Sequence, residues 1–438
     1  MELMREWRIH AFAFCIVIIA ECIGIQKFGL VVFLPLFYAL LIGGIISYPK
    51  FKIMSDKQME LAGVFMPVAM FFLLVKIGLG IGPNLHMLLN SGLALIMQEF
   101  GHFFGTLIFG LPMALLLKMG REAIGSCYSI DREPNVAIIA EKYGMFSPEG
   151  RGVMGMYICG TLFGALWVSV LAGIVAKTGF FHPYALAMGG GIGSASMMAA
   201  SVGSIVAVFP EEAQKIQAYA GAANLMTTIL GIYFALFISL PVTVKVYELI
   251  TGKKRHEEIS AEEDAKAAKL SAEAKQAEED AAVLKVERSL TRKDDLFILI
   301  VTGILGFVGN WVGGFGSVQD SFVGAAFLVV IAFIGVNIAH LPGFCKLPVV
   351  FWVSIFAVLC SVPGIPGTDT IVEYTKNFNF LATTTPILAY GGLSLGKDIP
   401  AFKRLSWRIV PVAIMVATGS FLCATIMAEI MLHLEGIF

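Results

Sequence analysis

The stretch "MQEFGHFFG" (97–105) sets three polar side chains, Gln98, Glu99 and His102, inside an otherwise apolar run. Glu99 and His102 stand three residues apart, on one face of a helix. A Glu/His pair so placed can bind and release a proton near neutral pH or, with carbonyl oxygens, help coordinate Na⁺. The same groups equally suit an interhelical hydrogen bond that fixes packing. HExxH and its variants are absent, which argues against a metal-dependent enzyme.

Two further constellations carry polar chemistry. "HPYALAMGGGIGSASMMAASVGSIVAVF" (182–209) is as apolar as a membrane span, yet its centre holds Gly189, Gly190, Gly191, Gly193, Ser194 and Ser196. Small residues at Ala195, Ala199 and Gly203 suit close helix packing, but packing does not require three consecutive glycines. A broken helix accounts for them better, because it opens backbone amides and carbonyls toward a ligand. Gly190, Gly191, Gly193, Ser194 and Ser196 are therefore candidate substrate contacts, with Asn224, Thr227 and Thr228 of the next span behind them. "GREAIGSCYSIDREPNVAIIAEKYGMFSPEGRG" (120–152) reads as a turn, a proline at a helix start and an amphipathic helix. Its helix N-terminus, with Arg132 and Asn135, suits an anionic group, although its charges also serve topology and ion pairing. Lys76, Glu21 and Glu429 lie near span ends, where long side chains reach the interface.

The elements that must position these residues are membrane helices. Of the 438 residues 57% are hydrophobic and 14% charged, against about 25% charged in an ordinary soluble domain. The net charge of -1 gives no field that would recruit nucleic acid. Seven scattered cysteines without ligand spacing read as small core residues. Apolar runs predict spans near 8–24, 28–47, 60–80, 86–117, 152–176, 183–208, 216–247, 294–313, 320–340, 346–363, 378–396 and 404–433. The first is read as retained, since no small-residue cleavage site follows it.

Lys and Arg in the short loops set the orientation. Arg5 and Arg8 place the N-terminus in the cytoplasm, as do Lys50, Lys52 and Lys57 for the second loop. Strict alternation would then put the charged stretch 253–293 outside, so one segment must fail to cross. The glycine-broken segment 183–208 is the first choice, entering and leaving on the outer face; the polar stretch 121–150 is the competing one. The chain thus divides into an N-terminal membrane half (1–252), a charged helical linker (253–293) and a C-terminal membrane half (294–438).

A weak repeat relates the halves. "KIGLGIGPNLHMLL" (76–89) lies over "YGGLSLGKDIPAFK" (390–403), with Gly78 on Gly392 and Gly82 on Gly396, and after a four-residue adjustment "FGHFFGTLIF" (100–109) lies over "TGSFLCATIM" (418–427). By the charge rule the two copies face opposite ways, as in inverted-repeat transporters.

At "GREAIGSCYSIDREPNVAIIAEKYGMFSPEGRGVMGMYICGTLFGALW" and "GGGIGSASMMAA" the chain resembles a bacterial family of multi-pass membrane proteins carried as a domain of unknown function. More remotely, "GGIG" (190–193) is similar to the GGxG tips of sodium/glutamate symporters and 2-hydroxycarboxylate transporters, and the layout is similar to 2-keto-3-deoxygluconate permeases. That resemblance implies inverted-repeat carriers, often dimeric, with Gly190, Gly191 and Gly193 lining the substrate site. The second half departs from it, offering "GGLSLG" (391–396) instead of a second GGxG.

The expectation is an all-α polytopic protein of the bacterial inner membrane with about 10–12 transmembrane helices, inverted-topology repeats and at least one re-entrant or broken helix. It is expected to be no enzyme, to need no cofactor and to carry a small anionic solute by Na⁺- or H⁺-coupled alternating access, with Gln98, Glu99 and His102 as coupling groups. A channel is the alternative.

Overall fold

A computed structural model describes residues 6–28, 31–130, 133–144, 147–252, 290–342, 347–404 and 407–438. Before the linker the helices are α1 (Trp7–Ile23), α2 (Pro35–Ile46), α3 (Asp56–Ile81), α4 (Leu85–Asn90), α5 (Gly92–Leu116), α6 (Glu122–Cys127), α7 (Glu133–Tyr143), α8 (Pro148–Cys159), α9 (Ala165–Thr178), α10 (Pro183–Gly190), α11 (Ala195–Val208), α12 (Ala213–Phe234) and α13 (Leu240–Thr251). After it come α14 (Arg292–Val312), α15 (Val318–Ala339), α16 (Val349–Leu359), α17 (Thr368–Thr375), α18 (Phe380–Arg404) and α19 (Ile409–Leu434). Single π-turns join α8 to α9 (Gly160–Gly164) and α12 to α13 (Ala235–Ser239). Between α1 and α2 a short antiparallel hairpin pairs β1 (Gln26–Phe28) with β2 (Val31–Phe33), so the run 28–47 is not one continuous span.

Among the described residues seven helical segments are long and apolar enough to cross a bilayer: Asp56–Asn90, Gly92–Leu116, Pro148–Thr178, Pro210–Thr251, Arg292–Val312, Val318–Ala339 and Ile409–Leu434. The chain is a multi-pass helical membrane protein. Helix starts follow local chemistry. Ser55 and Gln58 form a capping box on α3, Thr291 and Asp294 form one on α14, and Ser147 with Pro148 opens α8.

The helices sort into two bundles, each drawing on both sides of the linker. One contains α1, α2, α3, α14, α15, α16, α17 and α18; the other contains α5 to α12 and α19. They meet mainly where α3 faces α12 and α18 faces α11.

Glycines let the helices approach closely. α5 and α19 run antiparallel, with Gly101 against Cys423 and Ala424, Gly105 against Gly419 and Gly110 against Val416. α3 and α18 also run antiparallel, with Met59 against Gly396 and Gly63 against Ser394 and Lys397. The short helices α2 and α16 each lie parallel to a long one from the opposite end of the chain. Gly43 of α2 touches Gly392 of α18, and the Ser47 hydroxyl donates to the Gly392 carbonyl (2.9 Å) while accepting from the Gly396 amide (3.1 Å). Likewise Ala357 of α16 touches Gly78 of α3, and the Ser361 hydroxyl donates to the Gly78 carbonyl (3.2 Å) and lies against Gly82. Positions 43 and 47 correspond to 357 and 361, and 78 and 82 to 392 and 396, all by the same displacement of 314 residues. Gly105 and its contact Gly419 are separated by that displacement too.

Candidate functional site

The glycine-rich segment is broken as its sequence requires. Pro183 starts α10 behind His182, whose Nδ1 accepts the Tyr184 amide (3.3 Å). α10 ends after Gly190, and Gly193 adopts φ +77°, a conformation that L side chains avoid. Ser194 is extended and starts α11. That helix turns back beside α10. The Ser201 hydroxyl donates to the Gly190 carbonyl (2.8 Å), and the Tyr184 phenol donates to Glu212 (2.8 Å) just beyond the end of α11. The two ends of the segment therefore lie together, and 191–194 forms its tip.

The tip leans on α12. The Asn224 amide donates to the carbonyls of Gly191 (2.7 Å) and Gly193 (3.3 Å). A Cβ on Gly191 would come 2.5 Å from the Ala220 carbonyl oxygen, so only glycine permits this approach. Asn224 stands eleven residues into α12, which at ~1.5 Å per residue is about 16 Å, roughly half of a ~30 Å hydrocarbon core. Ser194 and Ser196 are half-buried, their hydroxyls 3.1 Å apart, and Ser194 makes no side-chain cap to the first turn of α11. At the mouth, His182 stacks on Phe438, and its amide donates to Glu429 (2.9 Å). Burial, partly offset by Glu212, holds the His182 imidazole below its usual range.

One turn beyond Asn224 on the same face of α12 is Thr227, and its hydroxyl donates to Glu99 of α5. Gln98 donates to the same carboxylate oxygen (2.7 Å). Glu99, Gln98 and His102 are all buried, and Gln98 Oε1 has no partner among the described residues. His102 turns instead to α19, where its Nδ1 meets the Ser420 hydroxyl. Glu99 and His102 thus share a helix face as expected but address different neighbours, with Glu99 on the hairpin side.

The polar stretch 120–152 sits apart. Asn135 donates to Ser129 (2.5 Å) and to the Ile130 carbonyl (3.1 Å), and its own carbonyl accepts from Tyr128. It holds its own turn together, and none of these partners belongs to the hairpin. Arg132 lies outside the described residues. Arg121 is buried with Glu149 (2.7 Å) and reaches Glu248 (3.3 Å), tying α8 to the end of α13. Lys76 donates to the Thr375 carbonyl (2.8 Å). Glu21, near the end of α1, is only 3% exposed and accepts from Thr385.

Periodicity gave no sign of Ser201, Ser420, Tyr184 or Glu212, whose partners come from other helices. The segment "GGLSLG" stays within the unbroken α18, its glycines turned to α2 and α3 and not to a second tip.

No curated protein and no solved structure matches the chain. A family described as protein of unknown function (DUF3100) matches residues 18–249, more than half of the chain, and covers the hairpin, its Asn224 brace and the Glu99 cluster. The protein belongs to the DUF3100 family.

Proposed function

We propose that the protein is a secondary active transporter of the bacterial inner membrane that carries a small anionic organic solute, an organic acid or amino acid, with Na⁺ or H⁺ by alternating access. The observation that carries this reading is the hairpin of α10 and α11, whose ends meet through Tyr184 and Glu212 while its tip rests on Asn224 beside the junction of the two bundles. Irregular backbone at that depth is tolerated where it lines a watery cavity. Gly190, Gly191, Gly193, Ser194 and Ser196 then present carbonyls, hydroxyls and the uncapped amides of α11 to the solute. Glu99, one turn from the tip through Thr227, and His102 are the coupling groups.

Three features support alternating access. The helices α1, α2, α3 and α5 correspond in order to α15, α16, α18 and α19, displaced by about 314 residues, and the matched pairs α3/α18 and α5/α19 pack antiparallel. An inverted-topology repeat with a pseudo-two-fold axis in the membrane plane would produce such a pairing, which supports this reading. The contact between bundles is narrower than the packing within them, which suits one bundle moving against the other. A hairpin that enters and leaves on the outer face also returns the charged 253–293 linker to the cytoplasm beside Arg8 and Lys57.

A thermal-shift screen of organic acids and amino acids, with and without Na⁺, names the solute through the stabilisation it confers. That solute should then show saturable, gradient-driven uptake and counterflow in proteoliposomes. A non-saturating conductance would assign a channel instead.

A further inference from the structure

We propose that Glu21 of α1, with Thr385 of α18, forms a second ion site, a proton-binding carboxyl inside the bundle that does not carry the hairpin. Glu21 is 3% exposed. One carboxyl oxygen accepts from the Thr385 hydroxyl (2.5 Å), and the other, Oε2, is buried with no hydrogen-bond partner among the described residues. Glycines of α14 close over it. A Cβ on Gly313 would lie 2.9 Å from Oε2, and one on Gly309 3.7 Å from the Glu21 Cγ.

Among the described side chains no base pairs with it to balance a negative charge; on α3, Lys76 donates instead to the Thr375 carbonyl (2.8 Å). On α1 the next acid or base toward the N-terminus, besides Cys15, is His10, eleven residues or about 16 Å away, and it is bonded to Tyr390 of α18 (3.0 Å). α2 offers only Tyr38, α14 carries Arg292, Lys293, Asp294 and Asp295 at its far end, and the nearest lysine on α18 is Lys397. Among the described residues Glu21 makes no ion pair. An unpaired carboxylate removed from water carries a prohibitive solvation cost, which a proton or a bound cation relieves. A Na⁺ ion requires several oxygen ligands, whereas here a single hydroxyl faces the carboxyl and donates to it. The proton is the ion that fits.

The position links this site to a coupling role. Thr385 lies near the middle of the antiparallel crossing of α3 and α18, where Gly391 meets Met66 and Ser394 meets Gly63. Under the repeat proposed above, that crossing lies on the pseudo-two-fold axis and so at mid-depth. Glu21 itself is confined to one repeat, since its counterpart 314 residues on is Gly335. A carboxyl that holds a proton when enclosed and releases it when its bundle opens to water would link proton movement to the transport cycle. This role rests on the carrier reading, but proton binding itself does not.

Infrared difference spectra of the purified full-length protein in lipid nanodiscs test the assignment directly. Wild type minus Glu21→Gln should show the carbonyl stretch of a neutral carboxylic acid at neutral pH, and Thr385→Val should shift that band. A difference spectrum with only carboxylate bands, or with no Glu21 signal, would overturn the proposal. Loss of the band on adding NaCl but not KCl would also overturn it, assigning the site to a metal cation. Should Glu21→Gln fail to fold, the Thr385→Val band shift alone decides. Absent solute flux with the band present would refute the carrier while leaving the proton site standing.

Discussion

Gly105 of α5 and Gly419 of α19 pack backbone to backbone: a Cβ on Gly105 would lie 2.1 Å from the Gly419 oxygen, and one on Gly419 2.3 Å from the Gly105 oxygen. With no apolar solvent preference to drive helices together in lipid, such close approach supplies much of the packing energy. Gly105→Ala should therefore lower stability by about 1–3 kcal/mol through overpacking. Gly120→Ala, with open space around it, should not. Thermal unfolding in detergent checks both, and equal melting temperatures for the two variants would contradict this packing.

The folded-back segment makes a topological prediction. In a background with the native cysteines replaced, Phe180→Cys and Glu211→Cys should react with a membrane-impermeant maleimide from the same side. Phe180 and Glu211 are both exposed, so access does not limit the reaction. Labelling from opposite sides would mean that 183–208 crosses the bilayer.

Asn224 holds the tip through two carbonyls, and Asn224→Leu leaves them unsatisfied at a cost of about 1–3 kcal/mol. The loss should be local. Amide exchange should quicken over 190–196 and stay unchanged in α5 and α19, and any solute-induced stabilisation should disappear. Unchanged exchange at the tip would remove Asn224 from the site.

Arg121 and Glu149 are 2% and 0% exposed and lie 2.7 Å apart. Glu149→Ala leaves a buried guanidinium with the half-exposed Glu248 and the Tyr247 ring, so it should destabilise the protein by about 3–5 kcal/mol. Replacing both residues by methionine should cost less than either single change. Chemical denaturation of the single and double variants measures this, and additive losses would show that the pair is not coupled.

Much of this arrangement was legible in the sequence because composition speaks directly about backbone. Three adjacent glycines and two serines in an apolar run announced a break, and the break lies at 191–194. Helical spacing put Glu99 and His102 on one face, but spacing identifies a face and not the neighbour it meets. That Thr227 receives one and Ser420 the other is a property of the tertiary packing. The match of Gly78 and Gly82 to Gly392 and Gly396 was visible in letters. The serines that lie against them, Ser47 and Ser361, were not, because each comes from a short helix that packs on a long helix from the other side of the linker. The hairpin at 26–33 escaped notice since Val31, Val32 and Phe33 are as apolar in a strand as in a span. Glu21 was read as an interfacial side chain because it falls two residues before the end of α1, and only the closure of α14 and α18 over it shows its enclosure.

The interleaving of α2 with α18 and of α5 with α19 also bears on how the chain is made. Synthesis proceeds from the N-terminus, so α5 reaches the membrane some three hundred residues before the helix that covers it. Until α19 arrives, the His102 side chain and the bare backbone at Gly101 and Gly105 face lipid or a provisional neighbour. Truncation after the linker would leave that surface permanently uncovered. α19, inserted long after α5, is the helix that completes the first half of the protein, and quality control in the membrane would have to hold the nascent bundle until it comes.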